Sequence, residues 1–456
     1  METPLYKALK EYAQKDMTRL HMPGHKGINI YEIDDLWKYD ITEIQNMDNL
    51  LDADSKGIIK QTEDIYTKIY GSKKSIISTQ GSTIGIQTML TLVLMNNRNS
   101  SKRMLVDRNI HIAAINTMAL LAIEPIWING DIEENDLMPA VISAKNIEDN
   151  IKKFPEISAV YITSPNYFGL IADIKEISDI CKKYDKFLLV DNAHGAHLKF
   201  LNAPCHPMDF GASICCDSLH KTLPVLTGGG LIHIYDQRLV ENAKKAMALY
   251  SSTSPSYLIM LSIDLLLNYV YKHIKEDLRI LSYKIKQLNK LAVQLGFKIP
   301  KGNIDPIKFV IKIDEFEDNS QDIADFFRQY KIEPEYVDRF WLVFIFSPQN
   351  TNKDFQRMED ALKNISILKR RKINYLKNKI TPKVIDYKKG SALKEALFSK
   401  AEMIKVEDCL GRIASNSVIT CPPAVPIVLP GEYVSRETIE LMLDNNIKHI
   451  NVIMEN

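Results

Sequence analysis

Phe187-Leu188-Leu189-Val190-Asp191-Asn192-Ala193-His194-Gly195-Ala196-His197 is an apolar run that ends on a carboxylate and two histidines. Four consecutive apolar residues read as a strand covered on both faces, the signature of a parallel sheet. Ser75-Ile76-Ile77, Arg103-Met104-Leu105-Val106, Ala159-Val160-Tyr161-Ile162-Thr163 and Gly230-Leu231-Ile232-His233-Ile234 read as further strands. Helical patterns such as residues 173–184 lie between them. This alternation predicts an α/β fold with a mostly parallel sheet. Ligands in such sheets sit at the carboxyl ends of strands, beside helix N-termini, so chemistry is expected at and after Asp191.

The chain has 456 residues, too many for one simple core, and two or three domains are expected. Residues 236–295 read as mostly helical. Residues 296–370 mix strands (Lys308-Phe309-Val310-Ile311-Lys312 and Trp341-Leu342-Val343-Phe344-Ile345) with helices, the pattern of a smaller α+β domain. A lysine-rich stretch, 369–389, reads as a solvated linker, and a small C-terminal domain follows. The expected division is 1–290, an N-terminal helical arm with the large domain; 291–372, the small domain; and 373–456. The arm's helix is read from Thr3-Pro4 as cap and first turn, with Leu5, Leu9 and Tyr12 on one face.

A net charge of +1 gives no electrostatic argument for nucleic acid or a membrane as partner. No apolar run approaches the length of a membrane span, and the N-terminus has no signal-peptide core. The six cysteines form no C-x-x-C pair and none stands near histidine at zinc spacing, so no metal is expected and a reduced, cytoplasmic protein is. Cys215 and Cys216 read as part of a buried strand.

Four segments can together hold a phosphorylated, lysine-linked cofactor. Lys221, in Asp217-Ser218-Leu219-His220-Lys221-Thr222, supplies an amine for covalent attachment. Asp191 can keep a pyridine nitrogen protonated, which makes the ring an electron sink. Gln80-Gly81-Ser82-Thr83-Ile84-Gly85 follows a strand and opens a helix, so its N–H groups and hydroxyls suit a phosphate; a plain helix cap is the bland alternative. His111, in Arg108-Asn109-Ile110-His111, can lie against the ring, although a lone histidine is more often structural. Ala193 is small enough for the opposite face. His194 can transfer protons or hold Asp191, and Ser218 and His220 can reach the phosphate. Pyridoxal 5′-phosphate (PLP) is the cofactor these residues suit.

The chain resembles the bacterial ornithine/lysine/arginine decarboxylase family, PLP enzymes of the aspartate-aminotransferase-like fold (fold type I), in a short form without an N-terminal wing. The likeness runs through Thr3-Pro4-Leu5, His21-Met22-Pro23-Gly24-His25-Lys26-Gly27, Asp40-Ile41-Thr42-Glu43, Gly81-Ser82-Thr83 and Arg108-Asn109-x-His111. It continues through Thr163-Ser164-Pro165-x-Tyr167-x-Gly169, Asp191-x-Ala193-His194-Gly195-Ala196-His197, Ser218-x-His220-Lys221-Thr222-Leu223 and Thr253-Ser254-Pro255-Ser256-Tyr257. Later matches are Asp305-Pro306, Gly411-Arg412-Ile413-Ala414, Pro422-Pro423-Ala424-Val425-Pro426 and Pro430-Gly431-Glu432.

The resemblance implies that Lys221 carries the cofactor, Asp191 pairs with its ring nitrogen and His111 stacks on the ring. Ser82, Thr83, Ser218 and His220 would contact the phosphate. Ser254 would reach the neighbouring subunit's cofactor, so that a homodimer shares its sites. The chain departs from the family pattern at Asn192, where glutamate is usual, at Ile110, Ile112 and Ala113 beside His111, at Asn166, and at Gly228.

The activity implied is decarboxylation of arginine, lysine or ornithine, giving agmatine, cadaverine or putrescine with CO₂. A cationic substrate calls for a carboxylate at the far end of its pocket, and Glu335 is one candidate. Another PLP reaction, such as transamination or elimination, needs the same lysine and aspartate. A decarboxylase-like protein that binds without turnover is the non-enzymatic alternative.

Overall fold

In the computed structural model, residues 14–31, 33–41, 49–51, 56–96, 101–130, 141–314, 316, 320–338, 340–365, 387–420 and 425–455 are described. The N-terminal helix, the Thr42-Glu43 and Pro422-Pro423-Ala424 matches, and most of the lysine-rich linker lie outside them.

A short strand, β1 (Thr18–Leu20), precedes seven strands of one sheet. They are β2 (Lys74–Ser78), β3 (Arg103–Asp107), β4 (Glu124–Ile128), β5 (Ala159–Thr163), β6 (Phe187–Asp191), β7 (Ile214–Asp217) and β8 (Gly230–Ile234), in the order β2-β8-β7-β6-β5-β3-β4. Every expected strand is present, and β4 is an additional edge strand. The sheet is mostly parallel: β8 alone runs against its neighbours, β2 and β7.

The continuous apolar runs follow from a sheet with two covered faces. Phe187 and Leu189 enter one core, and Leu188 and Val190 enter the other. Cys216 and Cys215 divide the same way, as buried strand residues. Each such large side chain contributes about 1.5–3 kcal/mol by leaving water. The helix Ile174–Lys183 buries Ile174, Ile177, Ser178 and Cys181, a helical stripe, and Asp173 caps it by accepting from the Glu176 N–H at 3.0 Å.

Beyond the helix Tyr257–Lys272, the helix Ile274–Gln294 runs through residue 290, so the expected boundary there falls inside an element. A second sheet follows, with β9 (Lys308–Lys312), β11 (Tyr336–Val337) and β12 (Trp341–Ile345) antiparallel in the order β11-β12-β9. Strand β10 (Ile332–Pro334) pairs with β1, which ties the N-terminal segment to this part of the chain. The C-terminal residues build a small core of their own around Val406, Val428, Met442 and Val452. Among the described residues no helix is long and apolar enough to cross a membrane.

Candidate active site

Strand β6 delivers Asp191, buried to 2% exposure, to the carboxyl edge of the sheet. Its Oδ1 accepts from the Ala193 N–H at 3.1 Å, and the Tyr161 hydroxyl donates to Oδ2 at 3.4 Å. Strand β7 ends at Asp217, and the one-turn helix Leu219–Thr222 carries Lys221 back toward Asp191. Lys221 Nζ lies 3.1 Å from His194 Nε2. Burial lowers the Lys221 pKa, against the opposing charges of Asp191 and Glu335. Burial also drives His194 well below the ordinary histidine range, and the Lys221 charge adds to this, so His194 is neutral.

The helix Gly81–Asn96 begins at Gly81, inside the Gln80–Gly85 segment expected to open it. Gly81 has φ +65°, and a Cβ there would lie 3.3 Å from His220 Cε1 and 3.8 Å from Ser218 Oγ. Ser218 Oγ accepts from the Ser82 N–H at 3.1 Å. His220 Nδ1 donates to the Gly229 carbonyl at 2.9 Å, which leaves Nε2 directed elsewhere. Thr83 is exposed on the first turn. Gly81, Ser82, Ser218 and His220 therefore surround one helix N-terminus, with Thr83 at its rim.

His111 caps the helix Ile112–Leu121, its Nδ1 accepting from the Ala113 N–H at 3.2 Å. It is exposed, yet desolvation lowers its pKa, and it lies close enough to Asp191 and Lys221 to feel both charges. Ala193 is buried beside Asp191. Ser254 is exposed, on a loop whose Ser252 N–H donates to Gln80 Oε1 at 3.4 Å, next to the glycine cradle.

Glu335, between β10 and β11, lies close enough to Lys221 for its charge to be felt there. Its Oε1 accepts from the Tyr167 hydroxyl at 2.5 Å and its Oε2 from the Met22 N–H at 2.9 Å, and the Tyr167 ring meets His194 edge-on at 5.1 Å. Two further buried lysines flank it. Lys26 Nζ donates to the carbonyls of His21 and Ile345, and Lys308 Nζ to those of Asn166 and Tyr167. Burial lowers them to about 7 and about 8.

Two features escaped the sequence reading. The Gly24 segment seats directly under the lysine turn: the Gly24 N–H donates to the His220 carbonyl at 2.7 Å, and a Cβ on Gly24 would stand 2.6 Å from Leu223 O. Its proline-glycine pair was visible, but its place in the fold was not. Behind the site, Asp217 meets His206 at 3.0 Å and His233 at 3.4 Å, and these three ligand-type groups lie within 4.8 Å of one another. Burial raises the Asp217 pKa, but the two histidines outweigh burial and hold it well below the usual carboxylate range. Asn192 Nδ2 donates to Asp217 Oδ1 at 2.7 Å, a bond that a carboxylate at 192 makes only when protonated.

The arrangement fits PLP. The cradle a Gly81 Cβ would fill suits a phosphate at a helix N-terminus. His194 Nδ1 is buried without a hydrogen-bond partner among the described residues, beside an amine of lowered basicity. A buried carboxylate waits across from that amine.

Comparison with known proteins agrees. The chain is 26% identical over 472 residues to an arginine decarboxylase of Bacillus subtilis (strain 168), covering 97% of this chain and 94% of that one. It is 21% identical to the inducible lysine decarboxylase of Escherichia coli (strain K12), covering 95% and 75%. The solved lysine decarboxylase of Francisella novicida superposes with a TM-score of 0.72 at 18% identity, over 90% of this chain and 73% of that one. A ureidoglycine-glyoxylate aminotransferase of Bacillus subtilis has the same fold more distantly, at a TM-score of 0.54, 14% identity, and 71% and 88% coverage. The fold is that of fold-type I PLP enzymes. The profile of the Orn/Lys/Arg decarboxylase major domain matches residues 3–295 and that of the family's C-terminal domain residues 374–445, and the chain belongs to the Orn/Lys/Arg decarboxylase family.

Proposed function

We propose that this protein is a PLP-dependent lyase that removes the α-carboxylate of arginine, lysine or ornithine as CO₂ and releases agmatine, cadaverine or putrescine, precursors for polyamines. The observation that carries the reading is the meeting of the Lys221 amine, His194 and buried Asp191 beside the Gly81 cradle. PLP, when bound, takes up the electron pair left as the Cα–carboxylate bond breaks.

The chain's residues have the following roles. Lys221 would hold the cofactor through Nζ, and its amine, of lowered basicity, would carry a proton at the substrate Cα. Neutral His194, 3.1 Å from Nζ, accepts or returns that proton. Asp191 would keep a proton on the ring nitrogen, and His111 and Ala193 would lie against the ring. Gly81, Ser82, Thr83, Ser218 and His220 bind the phosphate. Glu335 meets the substrate's distal cation. Each of its oxygens accepts one bond within the chain and keeps a second lone pair for that contact.

The homodimer belongs to the same proposal, with exposed Ser254 completing the partner's site. So does the three-part division of the chain. A reducing, cytoplasmic setting is supported by Cys181, Cys205, Cys215, Cys216 and Cys409, all free thiols.

Incubating PLP-loaded protein with arginine, lysine and ornithine separately, then identifying the products, tests the reading. One amine appearing with CO₂ is expected. A keto acid, or no product from protein that has bound PLP, overturns it in favour of transamination or of binding without turnover.

A further inference from the structure

Arg108 begins the loop that carries His111, and a residue from the other end of the chain grips it. Its Nη1 and Nη2 donate to Oε1 and Oε2 of Glu432 at 2.5 and 2.7 Å. Both side chains are buried, at 7% and 6% exposure. The Tyr387 ring lies 3.3 Å from the guanidinium carbon. Glu432 is itself held, since its Oε2 accepts from the Leu429 N–H at 2.8 Å and its backbone bridges to Lys389. A planar fork paired on both arms and stacked on one face has little freedom left.

Only two residues, Asn109 and Ile110, separate this fork from His111. The Arg108 N–H donates to the Ile128 carbonyl, the Asn109 N–H donates to the Asp107 carboxylate, and Ile110 is buried. His111 comes next, its ring fixed by the bond from Ala113. The helix Leu393–Phe398 also packs on the helix Ile112–Leu121, with Leu393 entering the core that holds Ala114 and Met118. The C-terminal domain thus grips the His111 loop and its helix from behind.

We propose that Glu432 and Arg108 are positioning residues for His111: the C-terminal domain sets the histidine's plane against the cofactor ring without touching the site. This rests on the PLP reading above. Removing one partner of a buried ion pair leaves the other charge uncompensated, and the loop is then expected to shift.

The test is a double-mutant cycle on cofactor affinity. PLP is titrated into unloaded wild type, Glu432→Gln, His111→Ala and the double variant. The circular dichroism of the bound cofactor and the melting temperature of each unloaded protein are recorded beside it. Glu432→Gln is expected to weaken PLP binding about tenfold, the lower end of what loss of a histidine-orienting partner costs in metal sites, and to change the cofactor's dichroism. In the His111→Ala background the same change is expected to add nothing. Losses that multiply in the double variant overturn the proposal. So does a lowered melting temperature with affinity and dichroism unchanged. If Glu432→Gln does not fold, Tyr387→Leu, which removes the stack and keeps the ion pair, carries the same cycle. Wild type that binds no PLP sinks the cofactor reading along with this one.

Discussion

Lys26 and Lys308 are buried and Lys221 half-buried, all three amines of lowered basicity, and basicity alone does not say which of them takes an aldehyde. Hydrogen bonding does. Lys26 and Lys308 each donate to two backbone carbonyls, whereas Lys221 faces the neutral imidazole of His194. Borohydride reduction of PLP-loaded protein, followed by peptide mapping, is expected to label Lys221 and leave the other two unlabelled, and Lys221→Ala is expected to lose decarboxylation altogether. Label on Lys26 or Lys308, or turnover by Lys221→Ala, contradicts the assignment. Glu335→Gln keeps the shape of the side chain and removes its charge. It is expected to raise KM for the basic substrate by about tenfold, the worth of one hydrogen bond to a charged group, with a smaller change in kcat. An unchanged KM assigns Glu335 to holding Tyr167 and Met22 alone.

Among the elements, the N-terminal segment is the one whose place no local pattern revealed. β1 pairs with β10, Gly24 lies under the lysine turn, and Lys26 reaches the end of β12, so one stretch ties the two sheets together beneath the site. Lys26 gives this seam a pH signature. Burial lowers its folded pKa to about 7, against 10.5 for an ordinary lysine. Between those values the unfolded chain holds a proton that the folded chain has released, so stability rises with pH across the window. Denaturation of wild type and Lys26→Met from pH 7 to 10 is therefore expected to show the wild type gaining stability relative to the variant as pH rises. A constant difference would mean that Lys26 stays charged in the folded protein.

At the scale of the whole molecule, the proposed dimer can be tested by mixing two inactive proteins. Lys221→Ala and Ser254→Arg subunits, unfolded together and refolded, give hybrid dimers in which one site has both residues intact. Random pairing is expected to restore about a quarter of the wild-type activity. No recovery from protein that elutes as a dimer would mean that Ser254 serves its own chain's site. The exposed Ser254 loop, already against Gln80, is where such sharing would act.

The sequence by itself determined the α/β fold, the strand ends that carry Asp191 and Lys221, and the glycine-led helix start. Those features are local: an apolar run long enough for a strand, a carboxylate where it stops, and a glycine where a side chain would crowd a helix N-terminus. It also read Cys215 and Cys216 correctly as buried, because a strand inside a sheet has no exposed face. Tertiary structure alone decided which histidine meets Lys221, how Glu335 comes to face the site, and that Glu432 grips Arg108. These contacts join residues far apart in the chain, and loop closure and core packing, which no short stretch of sequence encodes, select them. Asn192 belongs to both groups: its departure from the family was plain in the sequence, but its bond to Asp217 needed β6 and β7 side by side.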